Sequence, residues 1–101
     1  MKEVEKYMYM YKYKKFKCPC CGNYYDTPDF GDDVDVIGEI CPICFWHHDP
    51  IGEEYASTPI GPNKVSLMDA RKNYQEFKAS EKRFITSVRA PLVAELPENN
   101  E

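Results

Sequence analysis

Leucine is scarce in this chain: Leu67, Leu92 and Leu96 are the only three among 101 residues, against eight Tyr. A short chain with so few large aliphatic side chains builds a thin core and needs a staple. Long apolar runs are also lacking. None approaches the roughly 20 residues that a membrane-crossing helix requires. The first residues, Met1-Lys2-Glu3-Val4-Glu5-Lys6, lack the apolar stretch of a secretion signal. A cytoplasmic chain with reduced thiols is therefore expected, with metal binding or catalysis ahead of disulfides as the use of its five Cys.

Positive charge is missing from the middle of the chain. Residues 18–63 hold no Lys or Arg and nine acids: Asp26, Asp29, Asp32, Asp33, Asp35, Glu39, Asp49, Glu53 and Glu54. Residues 1–17 hold six Lys and two Glu, and the whole chain carries a net charge of −4. An acidic body repels phosphate, which weighs against a nucleic-acid-binding zinc ribbon. Only the interleaved Tyr and Lys of residues 7–15 favour that reading. The same stretch reads better as an edge strand over 9–16, with Tyr7, Tyr9, Tyr11 and Tyr13 on one face and Lys discouraging edge pairing. No Gly-rich phosphate loop, nucleophile–base pair or recognisable carboxylate pair is present, so no enzymatic activity is expected.

What is present is a pair of Cys-x-x-Cys units with Pro in the same place: Cys18-Pro19-Cys20-Cys21 and Cys41-Pro42-Ile43-Cys44. Two residues between thiolates make a tight turn that aims both sulfurs at one metal. Backbone N–H groups in that turn can face the sulfurs. Cys18, Cys21, Cys41 and Cys44 are thus the expected ligands of a tetrahedral site, with Zn2+ the default occupant and Fe the alternative. Such a site contributes roughly 10–16 kcal/mol of apparent binding energy to folding. Gly22 follows the first unit and suits a left-handed turn residue, whereas Phe45 stands at the matching place in the second.

Cys20 is either a partly exposed bystander or a redox thiol; no helix pattern follows it to lower its pKa. His47, His48 and Asp49 read as exposed polar residues after a buried Trp46, or alternatively as ligands or an acid–base pair. Four thiolates already complete a tetrahedron.

The expected fold is small α+β. A zinc-ribbon-like pair of Cys knuckles sits on short antiparallel strands, followed by one or two C-terminal helices. Val36–Ile40 reads as a short strand, and 49–65, rich in Pro and Gly, as irregular. Ser66 caps a helix bearing Leu67, Ala70, Tyr74 and Phe77 on one face. Ser80 is expected to cap a second, shorter helix with Phe84, Ile85 and Val88. The organisation expected is a basic Tyr/Lys arm or edge strand over 1–15, a metal-binding domain over 16–91 and a flexible acidic tail over 92–101.

Four stretches, in order, resemble the bacterial cysteine-rich CPCC family: Cys18-Pro19-Cys20-Cys21-Gly22; Ile40 through Cys41, Cys44 and Phe45 to Trp46; Asn63 through Ser66 and Arg71 to Tyr74; and Ser80 to Phe84. His47-His48 depart from it, since acidic residues usually follow the Phe-Trp pair there. The resemblance implies a small bacterial zinc-binding protein and supplies no reaction. Some members look like parts of toxin–immunity gene neighbourhoods, which implies an immunity-like role. Cys18 to Asp26 and Cys41 to Cys44 also look like rubredoxin knuckles, which would imply an iron electron carrier. The functional expectation is a zinc-stabilised interaction module whose acidic face binds a basic protein partner.

Overall fold

The computed structural model describes residues 13–28 and 38–101. Strands β1 (Tyr13–Lys17) and β2 (Tyr24–Pro28) form an antiparallel pair in which Phe16 lies opposite Tyr25 and Lys15 opposite Asp26. Residues directly opposite share a face. The Phe16 and Tyr25 rings therefore meet edge-to-face on the inner side, at 5.6 Å, while Lys15 and Asp26 pair at 3.3 Å in solvent. β1 covers the end of the strand expected over 9–16; residues 9–12, with the rest of the basic arm, lie outside the described residues.

The strand expected over 36–40 is reduced here to one antiparallel bridge, Ile40 with His47, residues 36 and 37 lying outside the described residues. Two backbone hydrogen bonds extend it, Gly38 N–H to His48 O and His48 N–H to Glu39 O, both 2.8 Å. Each Cys unit thus sits at the tip of an antiparallel turn.

The segment 49–65 is not wholly irregular. Helix α1 (Pro50–Glu54) begins with Pro50, whose fixed φ and missing N–H suit the first helical position. The Glu53 carboxylate turns back to accept the Asp49 N–H at 2.7 Å. Helix α2 (Leu67–Phe77) starts as expected, with the Ser66 hydroxyl accepting the Asp69 N–H at 3.1 Å. It buries Leu67, Ala70 and Tyr74 and ends at Lys78, which adopts a left-handed φ of 64°.

The second helix is a 3-10 turn over Lys82–Ser87, entered through Glu81 rather than Ser80. The Ser80 backbone is engaged elsewhere: its N–H bonds the Cys44 carbonyl at 2.7 Å, and its carbonyl takes the Asn73 amide at 2.9 Å. Thr86, Ser87 and Val88, weak helix formers, offer little to extend the turn. Residues 92–101 contain two further 3-10 turns, Val93–Glu95 and Pro97–Asn99. Arg89 grips Glu95 with both terminal nitrogens, at 2.6 and 2.8 Å. Glu101 reaches Lys17 at 3.0 Å, which ties the terminus back to β1. No helix among the described residues is long and apolar enough to cross a membrane.

The core is built around sulfur. Cys18, Cys20, Cys41 and Cys44 are buried with Tyr25, Ile43, Trp46, Leu67, Ala70 and Tyr74 in one cluster.

Candidate metal centre

The two knuckles have one backbone design. In the first, Cys18 N–H bonds Asn23 O at 2.9 Å and Gly22 N–H bonds Cys18 O at 2.9 Å; in the second, Cys41 N–H bonds Trp46 O at 3.0 Å and Phe45 N–H bonds Cys41 O at 2.8 Å. Both need a left-handed residue after the last Cys, and Gly22 (φ 80°) and Phe45 (φ 72°) supply it. Glycine adopts this conformation without steric cost; Phe does so at about 1–2 kcal/mol. Phe45 is held there by its ring, which packs on Phe84 at a centroid distance of 4.2 Å and meets His47 edge-on at 5.9 Å.

This design brings the sulfurs of Cys18, Cys21, Cys41 and Cys44 all within 4.8 Å of one another. Cys18 and Cys44 approach to 3.5 Å and Cys21 and Cys41 to 3.8 Å. A tetrahedron with metal–sulfur bonds near 2.3 Å has edges of about 3.8 Å, so the cluster has the size of a four-thiolate site. Four Cys in this arrangement could hold one metal ion. The Ile43 N–H points at the Cys41 sulfur at 3.4 Å, and the Asn23 backbone amide favours the Cys21 thiolate.

The electrostatics explain why a cation suits the site. Hydrogen bonds from Cys18, Cys41 and Cys44 hold the Cys21 thiol far below its ordinary range. Cys18 is pushed far above it, first by its contact with Cys21, and Cys44 likewise, first by its contact with Cys18. Buried sulfurs this close hold one negative charge readily and resist a second. A dication removes that conflict. Burial, then the nearby thiols, also pushes the Tyr25 phenol up.

The helical half clamps both knuckles. Arg71 on α2 donates to the Pro19 carbonyl at 2.9 Å, and Asn23 in the first knuckle donates to the Tyr74 hydroxyl at 3.2 Å. The second knuckle is held by Ser80 N–H on Cys44 O and by Arg89 N–H on Pro42 O at 3.3 Å. Arg71, Asn23 and Tyr74 carry no metal-site signal in sequence, because their roles depend on contacts 51 and 52 positions apart.

The other candidates fall into place around this cluster. Cys20 is buried in the core, not partly exposed, because its knuckle faces inward onto α2. His48 is buried as well: its ring meets Phe16 at 4.7 Å, and its Nδ1 lies 2.9 Å from the Glu53 carboxylate. The same Glu53 oxygen accepts the Trp46 indole N–H at 2.9 Å. Glu53 therefore satisfies Trp46, His48 and the Asp49 backbone from one position. His47 is half-buried, with its backbone N–H and carbonyl held by the Asn63 amide at 3.1 and 2.8 Å. Neither His belongs to the sulfur cluster.

A family model described as cysteine-rich CPCC matches residues 16–95. Searches of curated proteins and of solved structures returned no match. The matched span holds both knuckles, α2 and the turns that clamp them, and the chain belongs to the cysteine-rich CPCC family.

Proposed function

We propose that the protein is a zinc-stabilised interaction module that performs no chemistry of its own and binds a basic protein, in the manner of an immunity protein neutralising a toxin. The observation behind the metal assignment is the group of four sulfurs within 4.8 Å. Zinc suits a closed, redox-silent site in a chain with so thin an aliphatic core. The four thiolates complete the tetrahedron and leave no position for an activated water. The ion's work is then structural: it fastens two knuckles that α2 and the following turns hold from outside.

The partner assignment rests on charge. Of the acids in residues 18–63, Asp49 is buried, Glu53 is turned inward to accept the Trp46 indole N–H, and Asp26 pairs with Lys15. Glu54 is exposed and Glu39 half-exposed. Asp29, Asp32, Asp33 and Asp35 lie outside the described residues. Complementary charge speeds association and rejects wrong partners. Affinity purification at low salt is expected to return a basic protein whose retention falls with added salt and with the paired substitution Glu39→Lys, Glu54→Lys. A purification that returns no protein, or one whose retention ignores both, overturns the assignment. An iron electron carrier is the competing use of the same four sulfurs, and visible charge-transfer absorbance of the isolated protein would establish it instead.

A further inference from the structure

Beside the sulfur cluster a half-open groove of about 560 Å³ runs between the end of α2 and the turns after it. Its size falls in the range of small-molecule sites. The walls include Phe77, Ile85, Val88 and Leu96, which the fold leaves incompletely covered. The lining is uneven in charge. It includes Cys21, the least buried of the four clustered cysteines. It also includes Lys78, whose ammonium sits 5.3 Å from the centre of the Tyr74 ring. Tyr74 links this lysine to the first knuckle, because its hydroxyl takes the Asn23 amide there. Among the described residues Lys78 has no carboxylate partner, whereas Arg89, also lining the groove, is paired with Glu95 through both terminal nitrogens.

We propose that this groove binds a small amphipathic carboxylate, its anionic head at Lys78 and its apolar chain along Phe77, Ile85 and Val88 towards Cys21. Charge sets the direction. The thiolates repel an anion from Cys21, and the Lys78 ammonium, which rests on the Tyr74 ring and has no carboxylate partner among the described residues, attracts it. An apolar chain can lie against sulfur and aromatic surface without losing hydrogen bonds. An uncharged molecule of the same length gains the walls and forfeits the head-group contact.

The test is an amide chemical-shift titration of the metal-loaded full chain with octanoate, and in parallel with 1-octanol. Octanoate is expected to saturate, shifting Asn23, Tyr74, Lys78 and Val88 most, with 1-octanol at least fivefold weaker. Lys78→Gln, a change to an exposed side chain, should weaken octanoate about fivefold and leave 1-octanol unchanged. Val88→Trp, which fills the groove, should abolish both. Non-saturating shifts spread over the surface overturn the proposal. So does equal affinity for the two probes, or octanoate binding that Lys78→Gln and a folded Val88→Trp variant leave intact.

Discussion

The ring of Phe84 packs 4.2 Å from that of Phe45 while Phe45 holds a backbone φ of 72°. A conformation that glycine occupies in the first knuckle is thus imposed on a Phe in the second by side-chain packing. Arg83 extends the stack, its guanidinium carbon 4.3 Å from the Phe84 ring centre.

Phe45→Ala keeps the left-handed strain and loses the ring, so it is expected to cost about 2–3 kcal/mol in denaturant unfolding of the metal-loaded protein. Phe45→Gly loses the ring but relieves the strain, and should cost about 1 kcal/mol less than Phe45→Ala. Equal losses for the two would show that the backbone at Phe45 is not strained.

The glycines give a matched pair. At Gly22 (φ 80°) an added Cβ meets nothing within 4 Å, so Gly22→Ala carries only the backbone term, about 1 kcal/mol. At Gly61 (φ 79°) the added Cβ would overlap the Asp49 carboxylate, which is buried with Oδ2 unpartnered among the described residues. Gly61→Ala should therefore cost more than Gly22→Ala by about 1–3 kcal/mol, read from the same unfolding curves.

Much of this was legible in the sequence. The four sulfurs are announced by two Cys-x-x-Cys units at matching positions, and α2 by Ser66 with apolar residues at Leu67, Ala70 and Tyr74. These are local signals, in which neighbours along the chain decide the structure. What sequence reading missed is set by distant partners. Pro50 looks like a breaker until Glu53 closes the turn it starts. Cys20 looks partly exposed and His48 looks polar and exposed, but α2 covers the knuckle of one and Phe16 packs on the other. Residues 92–101 look frayed because nothing local shows that Glu95 meets Arg89 or that Glu101 meets Lys17.

The Arg89–Glu95 pair makes stability depend on pH. The hydrogen bond from Arg89 lowers the Glu95 pKa below its ordinary value, so folding favours the carboxylate. A lowered folded-state pKa contributes stability above the ordinary carboxylate range, and that contribution disappears as pH falls through the folded value. Arg89 is partly in solvent, which limits the contribution to about 1 kcal/mol. Glu95→Gln should lower stability by about that amount at neutral pH and by progressively less below the carboxylate range. A deficit that stays constant into acid would contradict the pairing.

The five thiols separate into two roles. Cys20 packs in the core outside the four-sulfur group. Cys20→Ser should therefore retain full metal content and lose about 1–2 kcal/mol of stability through a buried hydroxyl. Cys41→Ser removes one corner of the tetrahedron and should abolish both stoichiometric metal and cooperative unfolding. Full metal content in Cys41→Ser, or its loss in Cys20→Ser, would reassign the ligands.

One zinc ion, held by Cys18, Cys21, Cys41 and Cys44, is expected to fasten the fold. Elemental analysis of the untagged protein as isolated, taken with its visible spectrum, decides this. One zinc per chain with no visible absorbance is the predicted result. Iron with charge-transfer bands, or a folded chain carrying no metal, would contradict it.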